Sequence, residues 1–307
     1  MSAFVDLIGF DPETDLNIKP CPAPGAGVHS WVFHAACRCV EAGLSGDEGV
    51  DLIESLMTRE ANPPTEIEDA LRSARGERGG PRVLWPSVND EQIEAITQHG
   101  PRLLDFWDSS PFKLKKEKPQ TEEVIDVLYP RGNPWLCAGL NNENFCTQRR
   151  DQWRGRLHKY ALIVPSPMTS RTGRTKAGYK SFHSLANTGP RRYLIVESDR
   201  GSLDQQAAVI DHLRSLAPLA AVVFSGSKSL HSWFFCAGTP EETLLAFIRY
   251  AVSLGADKRM WLRSQFCRMP DGRRSDGKRG ATLSRCGLSG IPEGRQAVIY
   301  LDPEVIT

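Results

Sequence analysis

The sequence predicts an α+β protein whose N-terminal part is helical. Three observations carry this. Between residues 28 and 75, apolar side chains recur at helical spacing between capping residues. From about residue 190, short β-rich runs alternate with amphipathic stretches in the order β-α-β-β-α. The charge is also partitioned: residues 1–146 hold 13 basic and 24 acidic side chains, and residues 147–307 hold 25 and 13. The formal net charge of +1 over 307 residues hides this division. Such asymmetry points to a basic half that meets a polyanion, or to two halves that attract each other.

The remaining composition is ordinary for a globular chain, with 40% hydrophobic and 24% charged residues. No apolar run reaches membrane-spanning length, and no basic segment followed by a hydrophobic one opens the chain. The expectation is a cytoplasmic protein with no membrane partner. The eight cysteines are scattered without a CxxC pair, so reduced thiols are expected rather than a disulfide framework. His34, Cys37 and Cys39 lie close together in HAACRC, but no second ligand pair has a suitable spacing, and zinc is not expected.

The elements follow in order. Residues 1–28 contain KPCPAPGAG and read as an irregular lead-in. HSWVFHAACRCVEAGLS places Trp31, Ala35, Val40 and Leu44 near helical spacing, with Gly43 at its end. Ser45 caps GDEGVDLIESLMTRE, whose Asp47 and Glu48 suit the positive end of a helix. Thr65 opens TEIEDALRSAR with Glu68 three residues on, a capping-box pattern. The domain boundaries expected are therefore 1–80 for a three-helix domain, 81–134 for a linker with helices, and 135–307 for the sheet-containing domain. In the linker, NDEQIEAITQ and TEEVIDVLY read as helices on either side of a solvated basic loop, KLKKEKP.

Beyond Pro134, YALIVP, RYLIVES, LAAVVFS and SLHSWFFCAG read as strands. SLDQQAAVIDHLRSL and TPEETLLAFIRYAVSLG read as helices, the second capped by Thr239 with Glu241 and Glu242 in its first turn. AVIYLDP is a final strand. The pattern is that of a split β-α-β, ferredoxin-like unit.

Three polar points fall on or beside this sheet. Alternation puts Glu197 and Asp199 on one face of RYLIVESD, about 7 Å apart, a spacing at which carboxylates share hard cations such as Mg²⁺ or Mn²⁺. The same residues also read as a strand end running into a turn. In VFSGSKSLHSWFF, Lys228 and several backbone N–H groups would form a cradle for phosphate, with Ser229 and His231 following. His231 equally reads as a core histidine. The third point is the run from Asp257 to Arg285, with nine basic residues against three acids. Here Asp257 could complete a metal site at the sheet edge, and Arg268, Arg273 and Arg274 flank the turn MPDG, where their planar forks suit phosphate. Upstream, residues 147–192 hold 11 basic residues and one acid, with Trp153, Tyr160 and Tyr179 interleaved. Arg171, Arg174 and Lys176 lie there, in a composition suited to a single strand with exposed bases.

These residues together resemble the archaeo-eukaryotic primase, or primase-polymerase, superfamily. The carriers are an acidic pair ending a strand (ESD), Ser229-Leu230-His231 on a later strand, and a third acid after a helix (GAD, Asp257). QFCRMPDGRR resembles the Arg-Pro-Gly segment of phage and plasmid members. The resemblance spans about 190–300 and extends more weakly over 135–190. It implies an RRM-like, ferredoxin-like catalytic core in which Glu197, Asp199 and Asp257 bind two divalent ions. His231 would contact the triphosphate of an NTP or dNTP, with Lys228, Ser229 and Arg268 nearby. The activity implied is primer synthesis on single-stranded DNA in a mobile element. The chain departs from the pattern in having Glu for the usual first Asp and MPDG for the commoner wording. No GxxxxGK[ST] loop is present, so a helicase would be a separate partner. The competing reading is a non-catalytic single-strand-binding adaptor on a decayed primase fold. A rolling-circle nickase is disfavoured because the position two after His231 is Trp233, not His.

Overall fold

The computed structural model describes residues 16–42, 44, 46–78, 83, 85–274 and 283–306. The chain forms two units, Met1–Ser87 and Val88–Thr307. The described part of the first holds three helices: α1 (Val28–Ala42), α2 (Gly46–Leu56) and α3 (Glu66–Arg78). Trp31, Val32, Ala35, Ala36, Cys39 and Val40 of α1 meet Ile53 of α2 and Ile67, Leu71 and Ala74 of α3 in one core. The helical spacing read in the sequence is what puts these side chains on facing stripes. Burial pushes the Cys39 thiol up to about 11, and all eight cysteines are unpaired. Ser45 and Gly43, expected as cap and terminator, lie outside the described residues. The Thr65 hydroxyl donates to Asp69 (2.9 Å) rather than meeting Glu68.

Glu66, not singled out in the sequence, is the polar centre of this unit. Its side chain is 0% exposed. It accepts from Arg59 Nη1 and Nη2 (both 2.8 Å), from the Asn62 N–H (2.9 Å), and lies 3.0 Å from His29 Nδ1. The Arg59 hydrogen bonds outweigh burial and hold the carboxyl at about 2, below its ordinary 4.5. A depressed carboxylate contributes stability that is present above 4.5 and lost as pH falls toward 2. Glu66→Gln is expected to lower the unit's stability, because it leaves Arg59 without its counter-charge. It should also flatten the acid limb of the unit's unfolding curve, measured by denaturant titration at a series of pH values.

The second unit begins with α4 (Asp90–His99), α5 (Leu103–Ser109) and α6 (Thr121–Leu128). Asn89 caps α4 by accepting from the Gln92 N–H. From Val88 onward the chain belongs to this unit, whereas a linker was expected over 81–134. Val124, Ile125 and Leu128 of α6 are fully buried in its main core. Next come β1 (Trp135–Gly139), β2 (Phe145–Arg149), the short α7 (Arg150–Trp153), β3 (Leu162–Ile163), and a ribbon of β4 (Gly173–Arg174) and β5 (Lys180–Ser181). They are followed by β6 (Tyr193–Ser198), α8 (Leu203–Arg214), β7 (Leu219–Phe224), β8 (Leu230–Phe235), α9 (Glu241–Ser253), β9 (Cys267–Arg268) and β10 (Val298–Leu301).

The α+β class holds. One antiparallel sheet has the order β2-β1-β3-β9 and the other β10-β7-β8-β6. β6 and β7 are joined through α8 and both pair antiparallel with β8, which is inserted between them as in a split β-α-β unit. The last strand departs from a ferredoxin-like order: β10 pairs with β7, leaving β6 as the open edge. Tyr193, Ile195, Val223 and Trp233 share a core with Leu136, Ala138, Ile163 and Cys267 of the other sheet. α8 and α9 cover the opposite face, where Phe234 meets Phe247 edge-on. α8 starts with a reciprocal cap between Ser202 and Gln205, and α9 starts at Pro240 rather than being capped by Thr239. Among the described residues no helix is long and apolar enough to cross a membrane.

Candidate active site

The site is built on the open-edge strand. Glu197 ends β6 directly opposite His231 of β8. Strand alternation turns Val196 and Ser198 toward the helices, where they line a small pocket with Ile210 and Leu254. Glu197 and Asp199 face the other way, into a polar cleft of about 390 Å³ that Asp257, His231, Arg259 and Arg268 also line. Asp257 arrives by backbone pairing: its N–H donates to the Glu197 carbonyl (2.8 Å) on the unpaired edge of β6. The turn that permits this needs Gly255 at φ +93°, and the Ser198 hydroxyl donates to the Gly255 carbonyl (3.1 Å). Arg268 comes from the second sheet, where it pairs with Leu162.

Each carboxylate has a nitrogen-bearing neighbour. His231 Nε2 is 3.2 Å from Glu197 Oε1, and the ring is 3% exposed. Neither ring nitrogen is aligned for a hydrogen bond. The Ser229 hydroxyl also donates to Glu197 Oε1 (3.3 Å). Burial alone would raise the Glu197 pKa, but His231, Arg268 and the Ser229 hydroxyl outweigh it and bring it down to about 2. Lys228 Nζ lies 2.8 Å from Asp199 Oδ2. Arg259 donates to Asp257 through Nε (2.9 Å), with Nη2 at 2.8 Å.

Gln206, buried on α8, clamps the two loops of the site and was not foreseen. Its carboxamide accepts from the Leu230 N–H (2.8 Å) and donates to the Lys228 carbonyl (3.0 Å) and the Gly201 carbonyl (3.4 Å). The loop after β7 is less of an N–H cradle than its composition implied. The Ser225 N–H donates to the Ser229 carbonyl, and the Ser229 N–H to the Ser225 hydroxyl. Its offer to an anion is mainly the Lys228 ammonium. Arg259 was also missed as a site residue, although it stands two positions after Asp257.

The other expected residues lie apart from the cleft lining. Arg174 and Lys176 are exposed on the β4–β5 ribbon, where Arg174 donates to the Gly178 carbonyl and Tyr179 is 74% exposed. Arg171 stacks over Phe182 (5.5 Å). Of the three aromatics expected to face a nucleic acid, Trp153 is fully buried, Tyr160 is half-buried against it, and Tyr179 is largely exposed. Arg273 is exposed beside Arg295, and Arg274 packs on the turn at Gly226, donating to the Ser225 carbonyl (3.3 Å).

The donor set suits a hard cation: three carboxylates, with the one thiol of the lining, Cys267, buried and its pKa pushed up by that burial. Among the described residues, no three such side chains are closed around one point, and Asp199 and Asp257 face Lys228 and Arg259. No protein-family model matches the chain, and neither does any curated protein or solved structure.

Proposed function

We propose that the second unit is a template-dependent nucleotidyltransferase, a DNA primase or primase-polymerase, acting on NTP or dNTP along single-stranded DNA. The observation that carries this is that Glu197, Asp199 and Asp257 line one cleft together with His231 and Arg268. These residues come from a strand end, a neighbouring strand, the turn after a helix, and a second sheet. Mg²⁺ or Mn²⁺ held by the three carboxylates would activate an attacking hydroxyl and neutralise charge on departing pyrophosphate. The finer fold reading, an RRM-like primase core, belongs to the same proposal.

The protein's own groups have distinct tasks in this reading. Ser229 and His231 hold Glu197 ionised and in place. Gln206 fixes the loops that carry Asp199 and Lys228. His231 and Arg268 give a triphosphate donors at the cleft wall. The β4–β5 ribbon, with Arg171, Arg174, Lys176 and the exposed Tyr179, would take the template strand. A replicative helicase would act as a separate partner.

The direct test is incubation with single-stranded template, nucleotides and Mn²⁺, reading labelled product. Template binding without product would favour the adaptor reading instead. His231→Ala is expected to weaken nucleotide binding about tenfold or more, the order for a hydrogen bond to a charged group. Its DNA affinity should stay unchanged. Equal loss of both in parallel titrations would remove His231 from the nucleotide site.

A further inference from the structure

The nitrogen-bearing side chains in the cleft differ in how they are held. His231 is fixed in β8 and 3% exposed, with neither ring nitrogen satisfied by a hydrogen bond. Its polar neighbour is Glu197, 3.2 Å from Nε2, on the wall of the cleft. Lys228 and Arg259 are different: their side chains are 63% and 81% exposed and reach Asp199 and Asp257 from a loop and a turn. Exposed pairs between long side chains are weakly held and exchange readily. Arg200, which also lines the cleft, is engaged with Asp90 (3.0 Å).

Charge balance then restricts what can enter. Glu197, Asp199 and Asp257 face Lys228, Arg259 and Arg268, so the positive and negative charges cancel. A bare divalent cation would have to displace Lys228 and Arg259 and leave both facing it. A triphosphate alone would meet the carboxylates. Arriving together, the cation takes the carboxylates and the phosphates take the released side chains.

We propose that Lys228 and Arg259 are resident counter-ions of the carboxylate trio, and that a divalent cation and a nucleoside triphosphate load as one coupled event. Both side chains pass from carboxylate to phosphate. This rests on the nucleotidyltransferase reading and adds Arg259 as a triphosphate-positioning residue. Coupling of this kind is reciprocal, so each ligand raises the other's affinity by the same factor.

The experiment is Mn²⁺ binding to the full chain, read by the electron paramagnetic resonance signal of the free ion. It is done with and without a non-hydrolysable triphosphate analogue, on the wild type, Lys228→Gln, Arg259→Gln and Asp257→Asn, with the Mn²⁺ held by the analogue alone subtracted from a protein-free titration. Wild type should bind Mn²⁺ about tenfold more tightly with the analogue, and Arg259→Gln should raise nucleotide-free Mn²⁺ affinity by about threefold to tenfold, the order expected for one screened charge. Lys228→Gln should act in the same direction, and the enhancement by analogue should shrink in both. Asp257→Asn should lose Mn²⁺ under both conditions. Wild-type product formation with unchanged or weaker nucleotide-free Mn²⁺ affinity in both cation variants would overturn the counter-ion role and leave the enzyme reading standing. No Mn²⁺ bound by wild type in either condition, with no product, would overturn both.

Discussion

Asp199→Asn and Asp257→Asn are each expected to lower nucleotide incorporation by about 10²–10³, the order seen when one electrostatic contact to a reacting centre is removed. The side chains are partly exposed and their present partners are exposed cations, so neither change should unfold the unit. Single-stranded DNA affinity should hold or rise slightly, since a negative charge leaves a basic surface. That split between rate and binding separates an enzyme from an adaptor. An adaptor gains nothing from three acids that repel its phosphates. Steady-state incorporation alongside fluorescence-anisotropy titration of a labelled oligonucleotide checks it, and full activity in either variant would remove that residue from the catalytic set.

Asp271→Ala is expected to destabilise the second unit by about 3–5 kcal/mol, the cost of breaking a buried ion pair from one side. The sequence placed Asp271 in a turn, MPDG, between arginines suited to phosphate. The structure makes it a hub instead. Its side chain is 2% exposed and accepts from Arg295 Nε (2.6 Å) and Nη2 (2.8 Å), and from the Gln120 N–H. Its carbonyl accepts from the Thr121 hydroxyl (2.8 Å). Arg295 in turn donates to the carbonyls of Lys115, Lys116 and Lys118. The basic loop KLKKEKP, read as solvated, is therefore gathered by an arginine whose charge Asp271 neutralises. Asp271 also sits at φ +60°, which Asn tolerates better than Ala. Asp271→Asn should thus lose the charge but keep the turn, and cost less than Ala in urea unfolding. Equal costs would assign the effect to the lost ion pair rather than to the backbone.

The candidate site was legible where its signal is local. Alternation along RYLIVESD put Glu197 and Asp199 on one face, and the structure turns both into the cleft. The helical stripes of α1 and α3 were equally readable because side-chain period depends only on backbone geometry. Composition misled where it stood in for exposure. Trp153 and Tyr160 looked like part of a nucleic-acid surface, but Trp153 is buried with Tyr160 half-buried against it, and Arg150 of the same stretch is buried against Glu122 and Asp126. Residue type does not say which face of a short, irregular segment the core will take.

The sequence by itself determined the longer helices and strands, their order and the facing of side chains along them, because those follow from neighbours a few residues apart. Only the tertiary structure decided the partners. It placed β10 beside β7 and so left β6 an open edge for Asp257 to join. It set Gln206 between two loops, Arg268 across from Glu197, and Arg295 against Asp271. Such pairings depend on which distant segments pack together, and that is settled by the burial of the whole apolar core rather than by any stretch of the chain.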